Sequence, residues 1–259
     1  MQKGLLNADL RRKIVEMIYR SKEGHIPSSF SIVDIIHYLY AHVLRVDPKN
    51  PKWDGRDYFI LSKGHGGAAL YVVLHKFGFI TDHDILSYSL KGGILGGHPD
   101  CTIVPGAEAS TGSLGHGFPT AAGVALGLKV QGKENRVFAL LGDGECNEGT
   151  IWETALVSSR QGLSNLTAII DLNGSAAQIL PVDPLADKWR AFGWEVIEID
   201  GHFESDLAKA FLPNLTSKPK VVIAKTVKGK GVSFVEGHGK WHHRIPNLEE
   251  LELIYKELI

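Results

Sequence analysis

Asp143 and Asn173 stand 30 positions apart, each closing a short apolar run and each beside a glycine. The first run, from Arg136 to Leu141, ends in Gly142-Asp143-Gly144-Glu145; the second, Leu166 to Asp171, ends in Leu172-Asn173-Gly174. Runs of this length and aliphatic content suit parallel strands buried on both faces. The segment Thr150–Arg160 between them reads as a helix, so the stretch is one right-handed βαβ unit. Such a unit sets Asp143 and Asn173 at the carboxyl ends of two parallel strands, where open α/β sheets bind ligands. The glycines flanking Asp143 let the chain turn sharply and let a ligand approach the backbone. One carboxylate and one amide oxygen suit a hard divalent cation, and are too few for an all-protein calcium cage. The remaining oxygens then come from water and a ligand such as a diphosphate, the usual way of holding Mg2+. The plainer alternative is a helix-entry turn with Asp143 as N-cap.

Four of the twelve histidines, His25, His65, His98 and His242, fall in loops marked by glycine or proline. Imidazoles donate to phosphate and sugar oxygens and move protons near neutral pH; any one of them alone is better explained as solvated or locally bonded, and it is the four together that point to a site. His116, His202, His238 and His243 read as structural or exposed. Lys228 and Lys230 need be no more than solvated loop cations, and neither is assigned a role.

The elements that must carry these residues alternate along the chain. Helices are expected over 7–20 with Asn7 as N-cap, over 31–42, 68–77, 119–130, 184–192, 206–211 and 248–258, with a short one from Asp82. Strands are expected at 58–61, 136–141, 166–171, 194–199 and 220–225. Residues 21–29 and 49–55 read as loops, and glycines at 92, 93, 96 and 97 bracket a mobile loop that delivers His98-Pro99. The 119–130 helix is rich in alanine and glycine, which lets another backbone pack close. This alternation predicts an α/β fold, a doubly wound parallel sheet with helices on both faces, forming a single domain over residues 1–259.

Composition narrows the functional classes. With 44% hydrophobic and 22% charged residues the chain can bury a full core. A net charge of −1 speaks against a nucleic-acid surface. No apolar run is long enough to span a membrane, and Asp9, Arg11, Arg12 and Lys13 interrupt any signal-peptide core. Cys101 and Cys146 make no disulfide framework, and a cytoplasmic location is expected.

The Gly-Asp-Gly turn followed by Asn173 resembles the thiamine-diphosphate signature, and Glu145-Cys146-Asn147-Glu148-Gly149-Thr150-Ile151-Trp152-Glu153 resembles transketolase specifically. So do Gly24-His25, Ser62-Lys63-Gly64-His65, Gly97-His98-Pro99, and Trp241-His242 after Lys225-Thr-Val-Lys228-Gly-Lys230-Gly231. The resemblance implies the thiamine-diphosphate-binding fold and two-carbon ketol transfer from a ketose phosphate to an aldose phosphate, with thiamine diphosphate and Mg2+. By it, the metal ligands are Asp143, the side-chain oxygen of Asn173 and the backbone carbonyl of Ser175. His65, His242 and the Gly144 N–H contact the diphosphate, and backbone groups of Gly112, Ser113 and Leu114 face the aminopyrimidine. His25 and His98 bond the donor sugar, and Glu148 reaches a glutamate of a partner chain, unless it is only a solvated acid in the first helical turn.

The resemblance covers almost the whole chain but only the diphosphate-binding third of a complete transketolase. It therefore implies the N-terminal subunit of a split enzyme, paired with a C-terminal, pyrimidine-binding transketolase subunit in a dimer or α2β2 heterotetramer. Two features depart from the family pattern. His25-Ile26-Pro27-Ser28 stands where the family has His-Pro-Gly. The segment Gly174–Pro181 is several residues shorter than the family loop that precedes the match to Pro184-Leu185-Ala186-Asp187. The rival readings are a thiamine-diphosphate subunit that acts on a 2-oxo acid, and a non-catalytic scaffold subunit. A nucleotide-binding Rossmann protein is disfavoured because no Gly-x-Gly-x-x-Gly follows the first strand.

Overall fold

The computed structural model describes residues 6–258; residues 1–5 and 259, which the domain reading includes, lie outside them. Five strands, β1 (Tyr58–Leu61), β2 (Val137–Gly142), β3 (Leu166–Leu172), β4 (Glu195–Asp200) and β5 (Lys220–Lys225), form one sheet in the order β1-β2-β3-β5-β4. Every pairing is parallel.

Side chains alternate between two cores, as the two-residue period of a strand requires. Phe138 and Leu140 of β2 face one core; Val137, Ala139 and Leu141 face the other. The first core is covered by α1 (Ala8–Ser21), α2 (Ile26–Phe30), α3 (Val33–Tyr38) and α4 (Gly67–Lys76). The second is covered by α6 (Gly117–Val130), α7 (Gly149–Arg160) and α8 (Leu185–Ala191). Steps β1 to β2, β2 to β3 and β3 to β4 cross the sheet in one direction, each entering the next strand from a helix on the second face. The return step from β4 to β5 runs through α9 (Glu204–Ala210), on the first. A single right-handed crossover rule accounts for that division. The expected doubly wound sheet with helices on both faces is therefore what forms. The short α5 (Asp82–Leu86) is opened by a Thr81–Asp84 capping box, and α10 (Leu248–Glu257), the last helix described, is opened by an Asn247–Glu250 box.

Four local expectations need correction. Asn7 is not a side-chain N-cap: it sits at φ 53°, and its amide donates to Asp34 Oδ1 at 2.9 Å. The 21–29 loop runs into α2, five residues with Pro27 in its first turn, too short to show helical periodicity. The 31–42 helix is α3 continued by a wider turn, Leu39–Val43, with i→i+5 geometry. The loop before His98 is anchored rather than free, because Leu95 is buried and its carbonyl accepts from the Ser89 N–H.

Candidate functional site

The carboxyl ends of β1, β2, β3 and β5 open onto a cavity of about 350 Å³. Lys63 enters it from beyond β1, Gly142 to Glu145 from β2, Asn173, Ser175 and Ala176 from β3, and Lys228 from beyond β5. Gly142 pairs with Asp171, so Asp143 and Asn173 leave neighbouring strands at nearly the same level.

Asp143 is 1% exposed. Its Oδ1 accepts the Gly144 N–H at 2.7 Å, while Oδ2 is buried with no partner in the protein. A buried oxygen left so costs roughly 1–3 kcal/mol, more when charged. Burial, and the Asp171 charge beside it, push the Asp143 carboxyl above the usual range. Here is an acceptor that lacks a cation or a donor, and a hard cation fits it.

Asn173 presents its amide in a defined sense. Nδ2 donates to Asp171 Oδ2 at 2.8 Å, and Oδ1 accepts the Ser175 N–H at 3.0 Å. Asp171, fully buried, also accepts from Ser31 Oγ at 2.7 Å, from Lys63 Nζ at 2.6 Å and from Thr226 Oγ1. Burial alone would raise its pKa, but the Lys63 ammonium and the hydroxyl donors hold it below the ordinary range.

Lys228 is not a solvated loop cation, as expected, but 6% exposed. Its Nζ meets Ser175 Oγ at 3.0 Å and His242 Nδ1 at 3.2 Å, both neutral partners, so burial lowers its pKa. A buried ammonium without a carboxylate is placed to receive an anion.

Four imidazoles crowd beside this cavity. The His25 ring centroid lies 5.4 Å from His65, 5.4 Å from His242 and 4.6 Å from His243. His98 is close enough to repel a charge on His25, and its ring covers Gly112, where a Cβ would stand 3.2 Å from Cδ2. Burial, then the neighbouring imidazoles, brings His25 down to about 4. Burial, then Lys63, brings His65 down to about 2. Neutral at pH 7, each ring keeps one donor and one acceptor.

Of the residues expected from sequence, Asp143, Gly144, Asn173, Ser175, His65, His242 and Leu114 share the cavity wall. His25 and His98 gather next to it. Gly112 lies under His98, Ser113 is exposed outside the wall, and Glu148 is exposed at the start of α7. The sequence reading gave no role to Lys63, Glu145, Asp171 or Lys228. Glu145 is 1% exposed and accepts from Ser62 Oγ, from the Gly115 N–H at 2.9 Å and from the Gly142 N–H at 3.1 Å. It thus ties three loops together. A usable signal existed for Asp171, since a carboxylate ending an apolar strand must find buried partners.

A wholly parallel sheet whose carboxyl edge gathers an unpartnered carboxylate, an oriented amide and buried ammonium groups defines an α/β domain that binds an anionic ligand there. The chain belongs to the family described as "Transketolase, thiamine diphosphate binding domain", which it matches over residues 3–256. Its curated relatives include an apulose-4-phosphate transketolase subunit from Phocaeicola vulgatus, 39% identical, the match covering 96% of this chain and 90% of that one. A 6-deoxy-6-sulfo-D-fructose transketolase subunit of a Clostridium species is 39% identical over 88% of this chain and 86% of the relative. A crystal structure of a transketolase mutant from Pichia stipitis superposes with a TM-score of 0.90 at 26% identity, covering 97% of this chain but 40% of that one. The chain thus spans most of the relatives made as separate subunits and less than half of that longer transketolase. It is a transferase subunit of the thiamine-diphosphate-dependent class, of the N-terminal type found in split transketolases.

Proposed function

We propose that this chain is the diphosphate-binding subunit of a ketol transferase that requires a second, pyrimidine-binding chain for turnover. The observation carrying this reading is the buried, partnerless Oδ2 of Asp143 in the cavity shared with Asn173. Asp143, the Asn173 side-chain oxygen and the Ser175 carbonyl hold Mg2+. His65, His242, Lys228 and the Gly144 N–H take the diphosphate, and backbone groups of Gly112 to Leu114 meet the aminopyrimidine. Thiamine diphosphate, when bound, would supply the nucleophilic carbon that ketol transfer needs. The protein supplies position and charge. The imidazoles of His25 and His98 hold the donor's hydroxyl and carbonyl oxygens and carry protons between them. Glu148, exposed at the start of α7, reaches a carboxylate of the partner.

Two relatives are named for apulose 4-phosphate and for 6-deoxy-6-sulfo-D-fructose, both anionic sugars. Anionic ketoses are therefore the donors to screen first. The test is ketol transfer by this chain alone, by its C-terminal-type counterpart alone, and by both together, over a panel of ketoses and 2-oxo acids. Transfer from a ketose by the mixture only is expected. Appreciable transfer by this chain alone, or turnover of 2-oxo acids only, overturns the proposal.

A further inference from the structure

Asp171 Oδ2 collects three side-chain donors from three separate segments. Ser31 follows α2, Lys63 follows β1, and Asn173 follows β3 itself. Thr226, beyond β5, donates to the other oxygen. The carboxylate is fully buried at the end of the central strand. The geometry points to Asp171 as the positioning residue of the cation site, fixing which edge of the Asn173 amide faces the cavity. This rests on the proposal that Asn173 is a cation ligand.

An asparagine amide is nearly symmetric in shape and opposite in chemistry at its two ends. Only the oxygen can meet a cation; the NH2 group would repel it. Asp171 offers acceptors alone, so the amide edge turned toward it must be Nδ2, and Oδ1 must point the other way. There it receives the Ser175 N–H at 3.0 Å and keeps a second lone pair. Without Asp171, the amide is free to rotate and to offer its NH2 group to the cavity. Outer groups that orient a metal's ligands are worth roughly 10–100-fold in metal affinity. The same carboxylate holds the buried Lys63 ammonium in the cavity wall, so one side chain sets both the amide and a cation of that wall.

The test is calorimetry of thiamine diphosphate binding to the full chain across a Mg2+ titration, and again in EDTA. Asp171→Ala is expected to raise the Mg2+ concentration for half-maximal binding by roughly 10–100-fold, with binding in EDTA no weaker than the parent's. Asp171→Asn, whose amide oxygen can occupy the Oδ2 position, is expected to restore most of the Mg2+ response. Thr226→Val removes a bond to the other oxygen and is expected to leave it unchanged. An unaltered Mg2+ response in Asp171→Ala, or an equal loss with and without Mg2+, overturns the inference. Should Asp171→Ala fail to fold, the parent chain decides by NMR. The Asn173 side-chain NH2 protons are expected to exchange slowly without metal, and fast exchange overturns the inference. A parent chain whose cofactor binding ignores Mg2+ would instead sink the cation site itself, a different outcome from either.

Discussion

On the proposed reading, Asp143 is the residue at which stability and binding oppose each other. Its Oδ2 is desolvated and finds no hydrogen-bond partner within the protein. Asp143→Ala is therefore expected to leave the chain within about 1 kcal/mol of parental stability by urea unfolding in EDTA, while Mg2+-dependent cofactor binding is lost. A large destabilisation with cofactor affinity intact would mean the carboxylate only caps the turn it starts. The imidazoles make a second prediction. His25 and His65 stay neutral in the folded chain down to about 4 and about 2, against 6.5 for an ordinary histidine. Below pH 6.5 the unfolded chain binds protons that the folded chain refuses, so stability rises with pH across the window from about 4 to 6.5 and is lost as pH falls through it. Thermal midpoints for the parent and for His65→Asn are expected to diverge in slope there, with the variant flatter; parallel slopes would place His65 in solvent. At this scale Asp143 and Asn173 were legible because a strand–helix–strand spacing makes them neighbours. Lys228 was not, since its burial depends on a late loop folding back on Ser175 across 53 positions.

Among the elements, α6 separates two kinds of glycine. A Cβ on Gly117 would stand 2.6 Å from Ser62 Cα, so the start of this helix touches the backbone beyond β1. A Cβ on Gly123, mid-helix, would meet nothing within 4 Å. Gly117→Ala is expected to cost about 1–3 kcal/mol, as overpacking against fixed backbone does. Gly123→Ala is expected to add about 0.5–1 kcal/mol to the isolated chain by removing backbone freedom from the helix interior. Urea unfolding of both reads the difference directly. Opposite signs are the prediction, and equal small effects would show that the contact at Ser62 yields. The alanine- and glycine-rich composition was visible in the sequence, but not which glycine has a neighbour, because that neighbour is 55 positions earlier. The strands were legible as short apolar runs and the longer helices from their spacing and composition; α2 and the wide turn at Leu39–Val43 were too short or too irregular to leave such a signal.

In the whole molecule, the cavity proposed for the cofactor lies at the edge of what this chain supplies. Ile179 and Leu180 belong to its wall and remain 89% and 58% exposed, so its apolar side is open. A second protein chain is the cover that the proposed function requires there. No helix among the described residues is long and apolar enough to cross a membrane. If the cofactor lies between the two chains, each ligand of this subunit must strengthen the other. Linkage makes the effect reciprocal: whatever factor thiamine diphosphate adds to partner affinity, the partner adds to thiamine diphosphate affinity. Coupling of about 1–3 kcal/mol corresponds to roughly 5–150-fold in each constant. Sedimentation of this chain with its C-terminal-type counterpart, with and without cofactor and Mg2+, measures one side of the cycle. Calorimetry of the cofactor, with and without that counterpart, measures the other. Equal factors above about 5-fold are expected. Independent binding of partner and cofactor would instead put the cavity wholly within this chain, with the second chain serving turnover only at a distance.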